Sequence, residues 1–288
     1  MVMNFERELE KFWKKRKPGS YKGENGRALV IGGSREYAGC LALAGVASLR
    51  TGCDWVTIAA PEKVAWAVNA LSPDLVTVKL EGDYLADEYE NRLMQLVQKH
   101  DVFLIGNGMD ARSDKLIRSI VLKNKGNQKV LDAQALHCVR FQEVSNAVLT
   151  PHKGEFDVLM KSSGLPASSR KMMNAAINSI QQRLTNETVI LLKAETDIII
   201  GKKRTAYNKG GNPGMTKAGT GDVLAGLVLG FLAQGMEPFK SCLIASWLNK
   251  KLGDDLKTKK GYSYIASDLL RELEEFKKKT MTKRQRMP

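Results

Sequence analysis

Short apolar runs rich in β-branched residues alternate with longer Ala/Leu-rich or amphipathic stretches along most of this chain. Arg27 to Ile31 (R-A-L-V-I) stops at Gly32-Gly33-Ser34, which predicts a strand running into a turn. Ala38 to Thr51, closed by Gly52, predicts a helix with a glycine stop. The same logic predicts strands at Trp55–Ala59, Leu75–Leu80, Val102–Ile105, Lys129–Leu131 and Ala147–Leu149, with helices at Glu62–Leu71, Asp87–Lys99 and Lys115–Lys123 between them. A long helix follows from Ser168 to Leu184. Val189–Leu192 and Thr196–Ile200 then form a hairpin-like pair, and two helices, Thr220–Gln234 and Pro238–Leu256, close the body. Strands alternating with helices predict an α/β fold whose mostly parallel sheet is covered on both faces. No repeat and no linker rich in Pro, Gly or Ser divides the chain.

Composition narrows the class without naming a chemistry. Hydrophobic residues make up 43% of 288 and charged ones 26%, which places the chain among folded globular proteins. The longest apolar stretch near the C-terminal end, Val223 to Ala233, is far short of the roughly 20 residues of a spanning helix, and no secretory signal is visible. Cys40, Cys53, Cys138 and Cys242 are scattered without C-x-x-C or zinc spacing, so reduced thiols in a cytoplasmic protein are expected. Net charge is +14, and the first 27 and last 18 residues each carry +4. Neither end interleaves aromatics as a base-stacking surface would, so both are expected to be solvated ends rather than nucleic-acid grips. No nucleic-acid or membrane partner is expected.

Candidate chemistry gathers at the ends of the strands. The runs at Val30, Val102, Val130 and Val148 each lead into Gly, Asp or Thr-Pro-His, and ligands of open α/β sheets sit beyond the carboxyl ends of their strands. The most informative stretch is Asn208 to Gly226, N-K-G-G-N-P-G-M-T-K-A-G-T-G-D-V-L-A-G, in which Gly219-Thr220-Gly221-Asp222 opens a helix directly. Converging backbone N–H groups at a helix start make an anion site suited to phosphate. The loop matches neither a Walker A motif nor a Rossmann fingerprint. Asp222 has two readings: a cap or dipole partner contributing about 0.3–1 kcal/mol, or a base that takes a proton from a hydroxyl while the amides hold the transferring phosphoryl group. The glycines before it favour the second, and phosphoryl transfer to an alcohol is the inferred reaction class.

The motifs, taken in order, resemble the ADP/ATP-dependent NAD(P)H-hydrate dehydratase family, the carbohydrate-kinase-like branch of the ribokinase superfamily. They are Gly32-Gly33-Ser34 with Tyr37-Ala38-Gly39-Cys40, Ser72-Pro73-Asp74-Leu75, Gly106-Asn107-Gly108, Asp132-Ala133-Gln134-Ala135-Leu136, Thr150-Pro151-His152-Lys153-Gly154-Glu155, Leu192-Lys193, and Asn212-Pro213-Gly214-Met215 leading to Gly219-Thr220-Gly221-Asp222. The resemblance runs from about residue 19 to residue 270, with basic segments 1–18 and 271–288 outside it. It implies a ribokinase-like three-layer α/β/α fold. It also implies repair of the S epimer of hydrated NADH and NADPH, whose hydroxyl is phosphorylated and the phosphate then expelled.

On that resemblance Asp222 is the base and the N–H groups of Gly219, Thr220 and Gly221 hold the phosphate. Cys40, Gly108, His152 and Asp222 contact the hydrated dinucleotide, while Lys193, Ala194, Glu195, Thr196, Asp197 and Gly221 contact ADP or ATP. For Lys193 a plain surface lysine in a hairpin turn stays open, and for His152 a structural turn histidine. Tyr37 either stacks on a base or simply packs. Mg²⁺ is expected on the donor phosphates, with Asp132 and Glu155 either holding its waters or capping loops. Gln134 stands where relatives often carry Asp, removing one possible metal-facing charge, and Cys40 and Ala218 replace the more usual Ala and Gly. A separate epimerase polypeptide and assembly into a homo-oligomer are expected by the same analogy. A vitamin-precursor kinase of the same superfamily remains the alternative.

Overall fold

A computed structural model describes residues 4–166, 173–185 and 187–282. The start of the helix expected at Ser168–Met172 and the end of the basic tail, Lys283–Arg286, lie outside them. Nine strands form one sheet: β1 Arg27–Ile31, β2 Trp55–Pro61, β3 Val76–Leu80, β4 Val102–Ile105, β5 Gln128–Leu131, β6 Ala147–Leu149, β7 Val189–Leu192, β8 Asp197–Gly201 and β9 Arg204–Asn208. Their order is β3-β2-β1-β4-β5-β6-β7-β8-β9, parallel from β3 to β7 and antiparallel at β7-β8 and β8-β9. The helices are α1 Phe5–Trp13, α2 Gly39–Thr51, α3 Glu62–Leu71, α4 Glu90–Val97, α5 Asp114–Lys123, α6 Lys153–Ser162, α7 Met173–Arg183, α8 Thr220–Ala233, α9 Pro238–Lys260 and α10 Ala266–Thr282.

β4, β6 and β7 are apolar at every position because both of their faces are covered. Ala28, Val30, Val102, Leu104 and Val148 point into one core shared with α2, α8, α9 and α10. Their neighbours Leu29, Ile31, Phe103, Ile105 and Leu149 point into the other, shared with α4, α5, α6 and α7. The three-layer α/β/α expectation therefore holds. The edges β3 and β9 are partly exposed and carry polar residues such as Lys79 and Arg204, as edge strands tend to. Among the described residues no helix is long and apolar enough to cross a membrane.

One helix pair places the site. A Cβ on Gly226 of α8 would lie 2.2 Å from the Ala44 carbonyl of α2, and one on Gly230 would lie 2.4 Å from Thr51 Oγ1. Glycines at both points let α2 and α8 pack backbone to backbone. Ser48 Oγ donates to the Gly226 carbonyl at 2.8 Å and fixes their register. The first turns of both helices thus open at the same end of the sheet.

The charged ends correct the expectation of solvated termini. α1 buries Leu9 and Trp13, with Trp13 Nε1 donating to the Thr51 carbonyl at 2.9 Å, and Phe5 stacks on Trp247 at 5.0 Å. α10 buries Leu269, Leu270, Leu273 and Phe276. The run Lys14–Lys17 is exposed as expected, as are Lys278 and Lys279 on α10.

Candidate active site

The register of the parallel strands lines up the residues that follow them. Ile31 pairs with Ile105, Ile105 with Leu131, and Leu131 with Leu149. Gly32, Gly106, Asp132 and Thr150 therefore stand side by side at the carboxyl edge, where loops leave the sheet. Gly106 has φ +119°, and a Cβ there would sit 2.0 Å from the Asp132 carbonyl, so only glycine lets the β4 and β5 loops approach this closely.

The close approach builds a buried polar chain. Asn107 Nδ2 donates to Asp132 Oδ2 at 2.9 Å and to Asp222 Oδ1 at 2.6 Å, joining the sheet edge to the first turn of α8. Asp132 Oδ1 accepts from Thr150 Oγ1 at 2.8 Å and from Lys193 Nζ at 2.9 Å. Asp222 Oδ2 accepts from Tyr37 Oη at 3.2 Å. Asp222 is only 9% exposed, and among the described residues it makes no ion pair within 4 Å. Burial pushes its carboxyl up to about 6, with the Asp132 charge adding to the rise while the Asn107 and Tyr37 bonds and the Lys193 charge oppose it. Burial and the Asp222 charge also raise the Tyr37 phenol, which stays a proton donor. For Lys193, burial alone would lower the ammonium, but Asp132 and Glu155 outweigh it and hold it above its ordinary value.

Beside Asp222 opens a cavity of about 650 Å³, lined by Lys193, Ala194, Glu195 and Asp197 on one side, Gly210 to Pro213 on another, and Thr220, Gly221, Leu224, Asn249 and Lys250 beneath. Lys250 ties its walls together: Nζ donates to the carbonyls of Ala194, Glu195 and Gly210 at 2.9–3.1 Å and lies 3.3 Å from Asp197 Oδ1. The glycine-rich loop is pinned further by Asp254, which accepts from the Gly211 N–H and from Asn212 Nδ2. Phosphate-seeking groups occupy one end, where the first-turn amides of α8 lack intrahelical acceptors and Gly221 lies near Lys193 Nζ.

A sequence profile described as NAD(P)H-hydrate dehydratase matches residues 28–275. The chain belongs to the NAD(P)H-hydrate dehydratase family. It is 36% identical over 271 residues to the ADP-dependent (S)-NAD(P)H-hydrate dehydratase of Cenarchaeum symbiosum, covering 92% of each chain. It is 38% identical over 262 residues to the bifunctional NAD(P)H-hydrate repair enzyme Nnr of Methanothermobacter thermautotrophicus, covering 88% of this chain and 50% of that one. The chain thus spans about half the length of the bifunctional relatives it matches. Among solved structures it is similar to the ADP/ATP-dependent NAD(P)H-hydrate dehydratase of Bacillus subtilis co-crystallised with ATP and Mg²⁺ (TM-score 0.79, 26% identity, 97% of this chain and 100% of that one). With ribokinase of Thermotoga maritima it shares the fold alone (TM-score 0.59, 13% identity, 88% of this chain and 99% of that one).

Against this family frame the expected site residues separate into two groups. Cys40, Gly108 and Tyr37 form one wall near Asp222. Gly108 has φ +68°, a Cβ there would meet Cys40 Sγ and the Tyr37 carbonyl at 2.7 Å, and the Cys40 thiol donates to that carbonyl at 3.2 Å. Burial, followed by the Asp222 charge, raises the Cys40 thiol, so it packs rather than attacks. His152 lies elsewhere, on the cavity with Lys193. Its Nδ1 accepts from the Gly154 and Glu155 N–H groups and caps α6, while the Glu155 side chain accepts from the His152 N–H at 2.7 Å. The structural turn role is therefore real, and Nε2 faces the Glu155 carboxylate at 3.5 Å.

Asp197 lines the cavity but its carboxylate is taken by the Ala194 N–H, Ser246 Oγ and Lys250. The Thr220 N–H makes a long 3.4 Å bond to the Lys217 carbonyl, leaving Gly219 and Gly221 as the freer of the three expected donors. Gln134 Nε2 donates to Asp114 on α5 at 2.6 Å, so the Asp-to-Gln departure does not remove a charge from the Asp132 network. Asn107 and Lys250 were not legible as site residues. A lone Asn between two glycines at a strand end was the available signal for the first, and nothing in the pattern of α9 marked the second.

Proposed function

We propose that this chain uses ADP or ATP to dehydrate the S epimer of hydrated NADH and NADPH. The observation that carries the reading is Asp222, a buried carboxyl raised to about 6 at the helix start that borders the phosphate end of the cavity. A base with this pKa is largely ionised at neutral pH yet strong enough to take a proton from a hydroxyl in the transition state. The freed oxygen bonds the terminal phosphorus of the donor as the bridging P–O bond breaks, and the nucleotide leaves one phosphate shorter. Elimination then breaks the ring C–O bond, phosphate carries the oxygen away, and loss of the adjacent C5 proton restores the C5–C6 double bond. Gly219 and Gly221 amides with Lys193 hold the transferring phosphate, Cys40 and Gly108 border the dinucleotide, and Ala194 to Thr196 border the donor.

Among the described residues no cluster of three or more His, Cys, Asp or Glu can hold a metal. Both Asp132 oxygens already accept hydrogen bonds, and the Glu155 carboxylate faces His152 and Lys193. This donor set fits a Mg²⁺ carried by the nucleotide phosphates, with Glu155 reaching it through water, and the ion would neutralise charge on the transferring group. Four unpaired thiols suit a reducing compartment, and we place the protein in the cytoplasm. Addition of water to the ring generates both epimers, so an epimerase activity is the pathway partner of a dehydratase acting on one of them. Self-assembly belongs to the same proposal.

The test mixes the protein, hydrated NADH or NADPH, Mg²⁺ and either donor, and follows absorbance at 340 nm. Recovery of the reduced-nicotinamide band with release of inorganic phosphate is expected. A stable phosphorylated product without that band would instead identify a small-molecule kinase.

A further inference from the structure

Asn107 is fixed by its main chain as well as by its side chain. It stands between Gly106 and Gly108, both at positive φ, and its backbone carbonyl accepts from the Gly33 N–H at 2.8 Å. A Cβ on Gly32 would lie only 2.3 Å from that carbonyl, so the loops after β1 and β4 meet with no room between them. The side chain is 1% exposed. Its Nδ2 directs one hydrogen to Asp132 Oδ2 and the other to Asp222 Oδ1, while among the described residues the amide oxygen is buried with no partner. Turned over, the amide would set that oxygen against two carboxylate oxygens, so its orientation is fixed by its neighbours. A buried acceptor left unpaired costs stability, and the fold tolerates it here in aiming both N–H bonds at carboxylates.

The two oxygens of Asp222 are thereby made unequal. Oδ1 lies in a buried bond with Asn107, whereas Oδ2 is on the side of the Tyr37 phenol, a residue 38% exposed. We infer that Asn107 is a positioning residue for phosphoryl transfer: by holding Oδ1 against the sheet edge it leaves Oδ2 as the oxygen that takes the proton from the hydroxyl. The inference rests on Asp222 being the base, and adds which of its oxygens acts and what aims it. Tyr37, Cys40, Asp132 and Lys193 are the other ionisable groups facing this carboxyl. Burial is the main cause of its raised proton affinity, and the Asn107 bond is the largest effect opposing it.

The test compares pH–rate profiles for the hydrated dinucleotide, at saturating donor with Mg²⁺, in the wild-type protein, Asn107→Leu, Asp222→Asn and the double variant. Leucine is close in volume and removes both N–H donors. The midpoint near pH 6 should move up by roughly one to two units, since a carboxylate that loses a donor to its ionised form binds a proton more tightly. At pH 7 kcat should fall by roughly tenfold or more, with KM for the donor unchanged within about twofold. The same substitution added to Asp222→Asn should change kcat by less than about twofold, because its effect passes through residue 222. An unmoved midpoint in Asn107→Leu would overturn the inference. So would an equal fall of kcat in both backgrounds, the mark of a merely structural role. Asn107→Ser keeps one donor, and its midpoint should rise by less; if Asn107→Leu does not fold, an unmoved midpoint in the serine variant overturns the inference. Wild-type kcat in Asp222→Asn alone would instead overturn the base reading, and this inference with it.

Discussion

Two carboxylates meet the same Asn107 amide from opposite sides, and their surroundings differ. Asp132, at the sheet edge, also holds a lysine and a threonine hydroxyl. Among the described residues Asp222, on the first turn of α8, has beyond Asn107 a phenol at 3.2 Å and no cation within 4 Å. A compensated carboxylate anchors structure, whereas a buried one without a cation keeps affinity for a proton. On the proposed function, the placement of Lys193 makes one Asp a strut and leaves the other to act as the base. Asp197 extends the first case, being buried but paired with Lys250.

The comparison is broken most severely at Asp222 itself. Asp222→Asn should lower kcat for dehydration by roughly 10²- to 10⁴-fold, the range for loss of a general base. Its effect on stability has the opposite sign. Because the folded pKa of about 6 lies above the ordinary 3.8, protonation favours the folded state; that contribution is complete below about pH 4 and is lost as pH rises through 6. Relative to wild type, Asp222→Asn should therefore gain up to about 3 kcal/mol at pH 8 and nothing at pH 4, read from chemical denaturation at both values.

Stripping the partner from a compensated carboxylate should do the reverse. Lys250→Met leaves Asp197 buried without its cation and frees three carbonyls, so denaturation should report a loss of about 3–5 kcal/mol, with a raised KM for nucleotide. Tyr37→Phe is a finer probe. Removing a donor to ionised Asp222 should move the midpoint of the pH–rate profile upward, by roughly half to one pH unit. Gln134→Ala should leave dehydration unchanged, since that side chain serves Asp114 and not the Asp132 network.

Much of this was readable from the chain because both signals were local. The strands β1, β4 and β6 run between the residues the apolar pattern predicts, since strands buried on both faces need uninterrupted apolar runs. The glycines before Asp222 announced the helix start. What escaped depended on contacts distant in sequence. α1 and α10 read as charged tails because their apolar stripes are narrow, and only packing against α9 and α2 shows why Leu9 or Leu273 is apolar. β9 is polar because it is an edge, and α6 is capped by a histidine ring rather than by Ser, Thr, Asp or Asn. The Asn107 bridge spans 115 positions to reach Asp222. Lys250 acts on loops about 40 and 55 residues away, so its role is invisible along α9.

The most direct test of Asp222 as the base is the pH dependence of kcat/KM for the hydrated dinucleotide, at saturating donor, in the wild-type protein and in Tyr37→Phe. The rate should rise with a single ionisation near pH 6 and level off above it, and the midpoint should move upward in the variant, because the protein carries the proton. A profile flat from pH 5 to 7, or a midpoint indifferent to residue 37, would contradict that assignment.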